Sequence, residues 1–228
     1  INLIIFIRLF LSLSKLEILM KNLWAKTALG FFFIVACIGA LLRWAFVAEV
    51  EWLDFRYFLH AHSHLAMLGW VFLMIYTFFI HSFLKPEQRQ KKIYKILFSF
   101  FVVSCIGMLI AFPIQGYGFW SISFSTIHIL LSYAFTWAFW KDLNKSNSNS
   151  LNSVRFVKTA LIFMIISTLA LWAMAPLMVT EMRGSALYYA TVQFYLHFQF
   201  NGWFIFAILG LFFKILERNE VSIPKKGV

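Results

Sequence analysis

Several residue types and motifs that mark soluble enzymes and secreted domains are scarce or missing in this 228-residue chain. Charged residues make up only 13% of it, and the two cysteines, Cys37 and Cys105, lie inside apolar runs. They are interpreted as small buried residues, which argues against a disulfide framework. The chain has no P-loop, no dinucleotide-binding GxGxxG, no nucleophile elbow and no CxxCH signature for covalently attached heme.

Apolar residues, by contrast, are in excess. They make up 62% of the chain, and its mean hydropathy is +0.80. Because a soluble domain is about half apolar and about a quarter charged, these values indicate an integral membrane protein built as one bundle. The net charge of +11 does not point to nucleic acid, since the basic residues fall between apolar runs, as they do in the loops of membrane proteins.

Six apolar stretches are long enough to cross a bilayer as helices, for which about 20 residues suffice. The predicted spans are 24–48, 57–84, 93–114, 119–140, 155–179 and 187–214. The predicted fold class is therefore all-α, a polytopic membrane helix bundle with six transmembrane helices.

The charges of the loops predict the orientation of this bundle. The loop before the third span and the loop before the fifth are basic, whereas the loop after the first span is acidic. Both termini and the basic loops are therefore expected in the cytoplasm, N-in and C-in, in a bacterial plasma (inner) membrane. Residues 20–218 are assigned to the transmembrane domain and 219–228 to a cytoplasmic tail. Residues 1–19 are interpreted as an N-terminal extension or interfacial segment, because Met20 begins a short basic head that precedes a span.

Three of the six histidines, His60, His62 and His64, lie at the start of the second span. Histidine is costly in hydrocarbon, so the cluster predicts a functional site. His60 and His64 are four residues apart and share a helix face, whereas His62 is turned away from both. We therefore predict that His64 is a cofactor ligand, with His60 or His62 as second ligand or supporting partner. His81, near the other end of the span, is interpreted as interfacial.

Two further histidines match His64 in depth. In the predicted topology, the second, fourth and sixth spans run inward, and His64, His128 and His197 lie about seven to ten residues into them. A rise of about 1.5 Å per residue places all three roughly 10–15 Å below the outer helix ends. Histidines from separate helices at one depth predict a metal or heme site in the core of the bundle.

The surroundings of two of these histidines repeat. His64 is followed by Gly69 and Trp70, and the same H-x4-G-W spacing recurs, 133 residues later, at His197. This indicates a weak internal repeat of two-helix units. Glycine in a membrane helix permits close approach of a neighbouring helix or a flat ligand, and Trp70 and Trp203 are candidates to wall a cofactor pocket.

The stretch HAHSHLAMLGWVFL, with His62, His64, Gly69 and Trp70, resembles the second helix of the heme-copper oxidase and nitric oxide reductase subunit I superfamily. The stretch YLHFQFNGWF, with His197, resembles the late helix that supplies heme ligands there. The resemblance implies a b-type heme held by such histidines toward the outer side of the membrane. It also implies electron transport or binding of NO or O₂, and a heme-dependent oxidoreductase if the protein is an enzyme.

The chain also departs from that superfamily. The full catalytic subunit has about twice as many spans, and this chain has no adjacent His-His pair and no His-Pro-Glu-Val-Tyr-like stretch for a copper site. A complete oxygen-reducing centre is therefore not expected in one chain. The expected partners are membrane lipid and either a second copy of the chain or other subunits of a respiratory complex, but not nucleic acid.

Three functional alternatives remain open at this point. In the first, the axial ligands of heme b come from His64, His128 and His197, with the outer arginines near the propionates or simply solvated. In the second, the three histidines hold copper or zinc, which both suit imidazole ligands. A row of methionines four residues apart is then a candidate Cu(I) path, although such spacing also suits a packed core. In the third, the protein is a non-catalytic subunit or assembly partner. The arginines are Arg43, Arg56 and Arg183; the methionines are Met174, Met178 and Met182.

Overall fold

The structure is a computed structural model that describes residues 22–145, 152–180, 182 and 184–219, with the backbone alone at 175, 178 and 179. The described residues form six long helices and no strand. The helices are α1 (Leu23–Trp44), α2 (Phe55–Phe83), α3 (Lys92–Gln115), α4 (Phe119–Asn144), α5 (Asn152–Val179) and α6 (Ala186–Arg218). A four-residue helical turn, Pro86–Arg89, lies between α2 and α3.

All six helices are long and apolar enough to cross a membrane, which confirms the predicted fold class. The N-in/C-in orientation stays a prediction. The extension assigned to 1–19 lies outside the described residues, as does the tail from 220 onward.

Helix ends differ from the predicted spans where capping, rather than hydropathy, decides them. The first span was expected to reach residue 48, but α1 ends at Trp44 and residues 45–47 form turns. Asp54 caps α2, since its carboxylate accepts from the Tyr57 N–H at 3.0 Å. Hydropathy shows where apolar residues stop, whereas the backbone hydrogen bonds decide where a helix stops.

The face of α3 that points away from the other helices carries large apolar side chains with helical spacing. Ile96, Phe100, Val103 and Ile110 are all exposed and lie three, four or seven residues apart. In water such a stripe would be unfavourable, whereas in hydrocarbon it costs nothing, and helices are held together there by close packing and by small residues. This is the surface expected of a lipid-facing helix.

The chain divides into two units between Phe139 and Trp140. The N-terminal unit contains α1, α2, α3 and most of α4, around an aromatic core. Tyr76 of α2 is fully buried, its ring lies 4.5 Å from that of Phe135 on α4, and its hydroxyl donates to the Tyr94 carbonyl on α3 at 2.7 Å. One side chain therefore ties three helices together.

The C-terminal unit consists of α5, α6 and the end of α4. Near its charged end, the carboxylate of Glu217 accepts hydrogen bonds from the Ser153 N–H at 3.0 Å and the Ser153 hydroxyl at 2.5 Å. Further along, a Cβ on Gly210 would lie 2.6 Å from Val157, so the two helices approach closely. The Glu217 carboxylate also places a negative charge at the start of α5, where the helix dipole is positive.

Two helices contain a π-helical segment, α2 at Leu65–Phe72 and α6 at Phe198–Phe204. In a π-helix each N–H bonds five residues back, so the turn is wider than an α-helical turn. Such segments are rare and are frequently found at functional sites. Each begins directly after a histidine, His64 in α2 and His197 in α6.

Candidate functional site

The three clustered histidines occupy two faces of α2, as their spacing predicted. His60 and His64 both face Phe112 of α3, whereas His62 faces α1. The Nδ1–H of His62 donates to the Val35 carbonyl at 3.0 Å. A Cβ on Gly39 would lie 2.9 Å from the His62 ring, so the glycine makes room for it. His62 thus joins α1 to α2 and lies on the opposite face from His64.

His64 is held by its own helix and by aromatic rings. Its Nδ1–H donates to the His60 carbonyl at 2.9 Å, which makes Nε2 the ring nitrogen with the lone pair. The ring centroid lies 4.3 Å from that of Phe112 and 5.8 Å from that of Tyr117. A histidine whose Nδ1–H is held by a carbonyl in this way is oriented as metal-ligating histidines are.

His128 lies on α4 in the same unit and is buried. Its ring contacts the rings of Phe72 on α2 and Phe101 on α3, with centroids 4.8 and 4.7 Å away. A hydrogen bond joins the ring to the backbone of Leu68, inside the π-helical segment of α2. Among the described residues, the Nε2 atom has no hydrogen-bond partner although it is buried. His128 also interacts electrostatically with His64.

An imidazole nitrogen that is buried without a partner costs on the order of 1–3 kcal/mol. In native structures such an atom calls for an explanation. One explanation is that the nitrogen binds an ion or a cofactor. His128 therefore has a ring nitrogen without a partner in surroundings of phenylalanine rings.

His197, the third predicted ligand, belongs to the C-terminal unit and is exposed. The side-chain amide of Asn201 donates to its Nδ1 at 3.3 Å. In a neutral imidazole the proton is then on Nε2, the reverse of the arrangement at His64. That His64 and His197 share one cofactor stays a prediction.

The two H-x4-G-W motifs also correspond in structure, each within its own unit. Both lie in π-helical segments, and both glycines pack against a phenylalanine of the preceding helix. A Cβ on Gly69 would lie 3.1 Å from the Phe31 ring, and one on Gly202 would lie 2.7 Å from Phe163. The repeated sequence is thus matched by a repeated helix pairing, α1 with α2 and α5 with α6.

The tryptophans of the two motifs differ in exposure. Trp70 is half-buried and lies 4.3 Å from Phe32 of α1, ring centroid to centroid, whereas Trp203 is fully buried. Trp70 therefore packs toward α1, the helix that His62 also contacts. That either tryptophan walls a cofactor pocket stays a prediction.

The other predicted site residues are distributed as follows. Arg43 is exposed at the end of α1 and Arg56 at the start of α2, and Arg56 interacts electrostatically with His60. Arg183 lies outside the described residues, and of Met178 only the backbone is described. Within the described part of the chain, no three His, Cys, Asp or Glu side chains form a group that could hold a metal ion. His81 accepts from the Asn22 amide at 2.6 Å, an arrangement that ties α2 to the start of α1.

Sequence reasoning missed the residues that surround the histidines. Phe72, Phe101 and Phe112 are three of 29 phenylalanines, and no sequence signal separates them from lipid-facing ones. Tyr117 had a better signal, because it stands between Gly116 and Gly118 in a short loop. The Leu68 backbone has none, since its role depends on a π-helical turn.

Fold and geometry together define a multi-pass, all-helical membrane protein with two imidazoles in an aromatic environment within its N-terminal unit. In comparisons with protein-family models, curated proteins and solved structures, nothing matches this chain. The resemblance to the heme-copper oxidase superfamily thus rests on the motifs alone.

Proposed function

We propose that the N-terminal unit binds a b-type heme through Nε2 of His64 and Nε2 of His128. The observation that carries the proposal is the buried Nε2 of His128, which has no hydrogen-bond partner among the described residues. A bond from this nitrogen to iron would satisfy it.

The donor set favours heme over a non-heme ion. A tetrahedral zinc site takes four ligands, or three and a water, whereas a heme needs only one or two axial nitrogens. The N-terminal unit offers two imidazoles, one with a lone pair on Nε2 and one with an unpartnered Nε2, and the described residues form no group of three ligands. The phenylalanine rings against these imidazoles supply the flat apolar surroundings that a porphyrin requires.

This chain's own residues would do three things for such a group. The His60 carbonyl holds the Nδ1–H of His64 and so orients the ring, and a hydrogen bond of this kind raises the basicity of the ligand. The Leu68 backbone interacts with the ring of His128 and so would help to orient it. Phe72 and Phe101 exclude water from the His128 side, which lowers the local dielectric constant and influences the reduction potential. Heme supplies one-electron transfer and, with an open axial position, binding of NO or O₂.

The cellular setting is part of the proposal. The distribution of basic residues between loops supports a bacterial inner membrane, with the histidines toward the outer side. A protein of this kind would act in a respiratory chain as an electron carrier, or as a heme-dependent oxidoreductase if one axial position is open. It would work with membrane lipid and with partner subunits or a second copy of the chain.

The test is an optical spectrum of the purified full chain in detergent, oxidised and dithionite-reduced, with a pyridine hemochrome assay. Sharp reduced α and β bands at about one heme per chain would support two histidine ligands. A high-spin spectrum that shifts with CO would support one histidine and an open position. Protein expressed with ample heme but lacking a Soret band would overturn the proposal, and bound copper or zinc would then favour the non-heme alternative.

A further inference from the structure

The turn between α3 and α4 passes directly over the histidine face of α2. Gly116 has φ +58° and ψ −134°, a conformation that side chains disfavour. A Cβ at this position would also overlap the ring of Tyr57 at the start of α2. The backbone of the turn therefore lies against α2 and can do so only with glycine at 116.

Side-chain hydrogen bonds hold this turn in place. The Ser121 hydroxyl donates to the Gly116 carbonyl at 2.6 Å and accepts from the Gly118 N–H at 2.9 Å. With its amide oriented to suit its neighbours, the side-chain oxygen of Gln115 accepts from the N–H groups of Trp120, at 2.8 Å, and Ser121, at 3.0 Å. These bonds cap the start of α4 and fix the backbone on both sides of Tyr117.

The turn thereby holds the ring of Tyr117 against the rings of His60 and His64. Its ring centroid lies 4.5 Å from that of His60 and 5.8 Å from that of His64, and it meets the Phe112 ring edge-on at 5.4 Å. About 40% of the side chain is exposed. One side of the ring therefore covers the histidines while another part stays at the molecular surface.

We propose that Tyr117 is the gate of the His60–His64 face: its ring separates these imidazoles from the outer aqueous phase and sets how fast small polar molecules reach them. Because hydrogen bonds hold the backbone of the turn, opening requires rotation of one side chain, not movement of the loop. For the heme site this inference rests on the function proposed above and applies where one axial position is open, since the gate would then control access of external ligands to the heme. The covering of His60 does not depend on heme.

The experiment is histidine carbethoxylation with diethyl pyrocarbonate, followed by mass spectrometry of the purified full chain in detergent. The imidazole lone pair attacks a carbonyl carbon of the reagent, an N–C bond forms and the C–O bond to the ethyl carbonate group breaks. The proton released by the ring protonates this leaving group, which decomposes to ethanol and CO₂. His60 is the reporter, because it is not a proposed iron ligand and can react in heme-loaded protein. His81 is the internal standard.

We expect Tyr117→Ala to raise the labelling rate of His60 several-fold while the rate of His81 is unchanged. Phe119→Ala is the matched control, since Phe119 is exposed and packs on Trp120, and it should leave both rates at the wild-type level. Equal His60 rates in wild type and Tyr117→Ala would overturn the gate. If Tyr117→Ala also exposes His128, which marks loss of the fold, the decision passes to Tyr117→Leu. Faster His60 labelling there with His128 protected supports the gate, and an unchanged rate overturns it.

A second readout addresses the heme. In protein with a high-spin heme spectrum, in which one axial position is open, the association rate of added cyanide should rise in Tyr117→Ala more than in Phe119→Ala. Protein without heme would contradict the proposed function but would leave the labelling result intact. Protein with heme, unchanged cyanide association and unchanged His60 labelling would contradict the gate alone.

Discussion

The two H-x4-G-W motifs have the same local structure and different surroundings. Each begins with a histidine at the end of an α-helical segment and continues into a π-helical segment whose glycine packs against a phenylalanine. His64 is half-buried and is covered by Phe112 and Tyr117, whereas His197 is exposed. The motif therefore builds a helix pair, and the residues packed around it decide what its histidine can do.

The two motif histidines, His64 and His197, also differ in the bonding of their ring nitrogens. A backbone carbonyl holds Nδ1–H of His64, which leaves a lone pair on Nε2, whereas the Asn201 amide donates to Nδ1 of His197. In the aligned motifs Asn201 corresponds to Leu68, whose backbone bonds to His128. The fourth residue after the motif histidine thus contacts a different histidine in the N-terminal unit, whereas in the C-terminal unit it contacts the motif's own histidine.

The largest expected effect comes from removing the histidines one at a time. His64→Ala and His128→Ala should each lower the heme-to-protein ratio by about tenfold or more. Mutation of the groups that merely support a metal ligand already lowers metal affinity by about tenfold or more. His197→Ala should keep nearly the wild-type ratio, because its imidazole is exposed and its Nδ1 accepts from Asn201. Pyridine hemochrome assays of equal protein amounts measure this. Loss of heme in His197→Ala would erase the distinction between the motifs.

Next in size is the effect of a methyl group on the two glycines. Gly202→Ala places a Cβ 2.7 Å from Phe163 and should destabilise the protein by about 1–3 kcal/mol through overpacking. Gly69→Ala meets the Phe31 ring at 3.1 Å, where a small ring shift relieves the contact, so we expect a smaller loss. Thermal unfolding in one detergent compares them. A larger loss in Gly69→Ala would reverse the expected order.

A smaller effect is expected from His62, on the α1 side of α2. His62→Ala removes the hydrogen bond to Val35 and should cost about 1 kcal/mol of stability with heme content unchanged. Ser63→Ala is the matched control, because the Ser63 hydroxyl bonds only carbonyls of its own helix, at 2.9 and 3.2 Å. Heme loss in His62→Ala, measured beside the melting temperature, would show that His62 is a ligand after all.

The smallest effect concerns the proton on His197. Asn201→Asp replaces the amide donor by a carboxylate acceptor, which should move the ring proton of His197 to Nδ1 and give it the arrangement of His64. Nitrogen-15 shifts of the labelled ring report which nitrogen is protonated. Stability should change by less than about 0.5 kcal/mol, as at other surface positions. An Nδ1 proton already present in the wild type would contradict the assignment made here.

Part of the site could be read from the sequence. The four-residue spacing of His60 and His64 predicts a shared face in any regular helix, and the structure places both against Phe112. Beyond His64 a regular helix no longer predicts which face a residue occupies, because the π-helical segment that follows changes the rotation per residue. Where Trp70 packs, and that the Leu68 backbone would bond to His128, could not be derived from a regular helix.

By itself, the sequence determined six apolar helices, the histidines they carry and the repeated motif, because hydropathy and helical periodicity are local properties of consecutive residues. Only the tertiary structure decided which groups of other helices contact each imidazole and which rings cover it. Those features depend on a carbonyl, an amide or an aromatic ring that folding brings near, and in three cases it comes from another helix: Val35 for His62, Leu68 for His128 and Phe112 for His64. Such contacts join residues far apart in the chain, and no pattern of neighbouring residues encodes them.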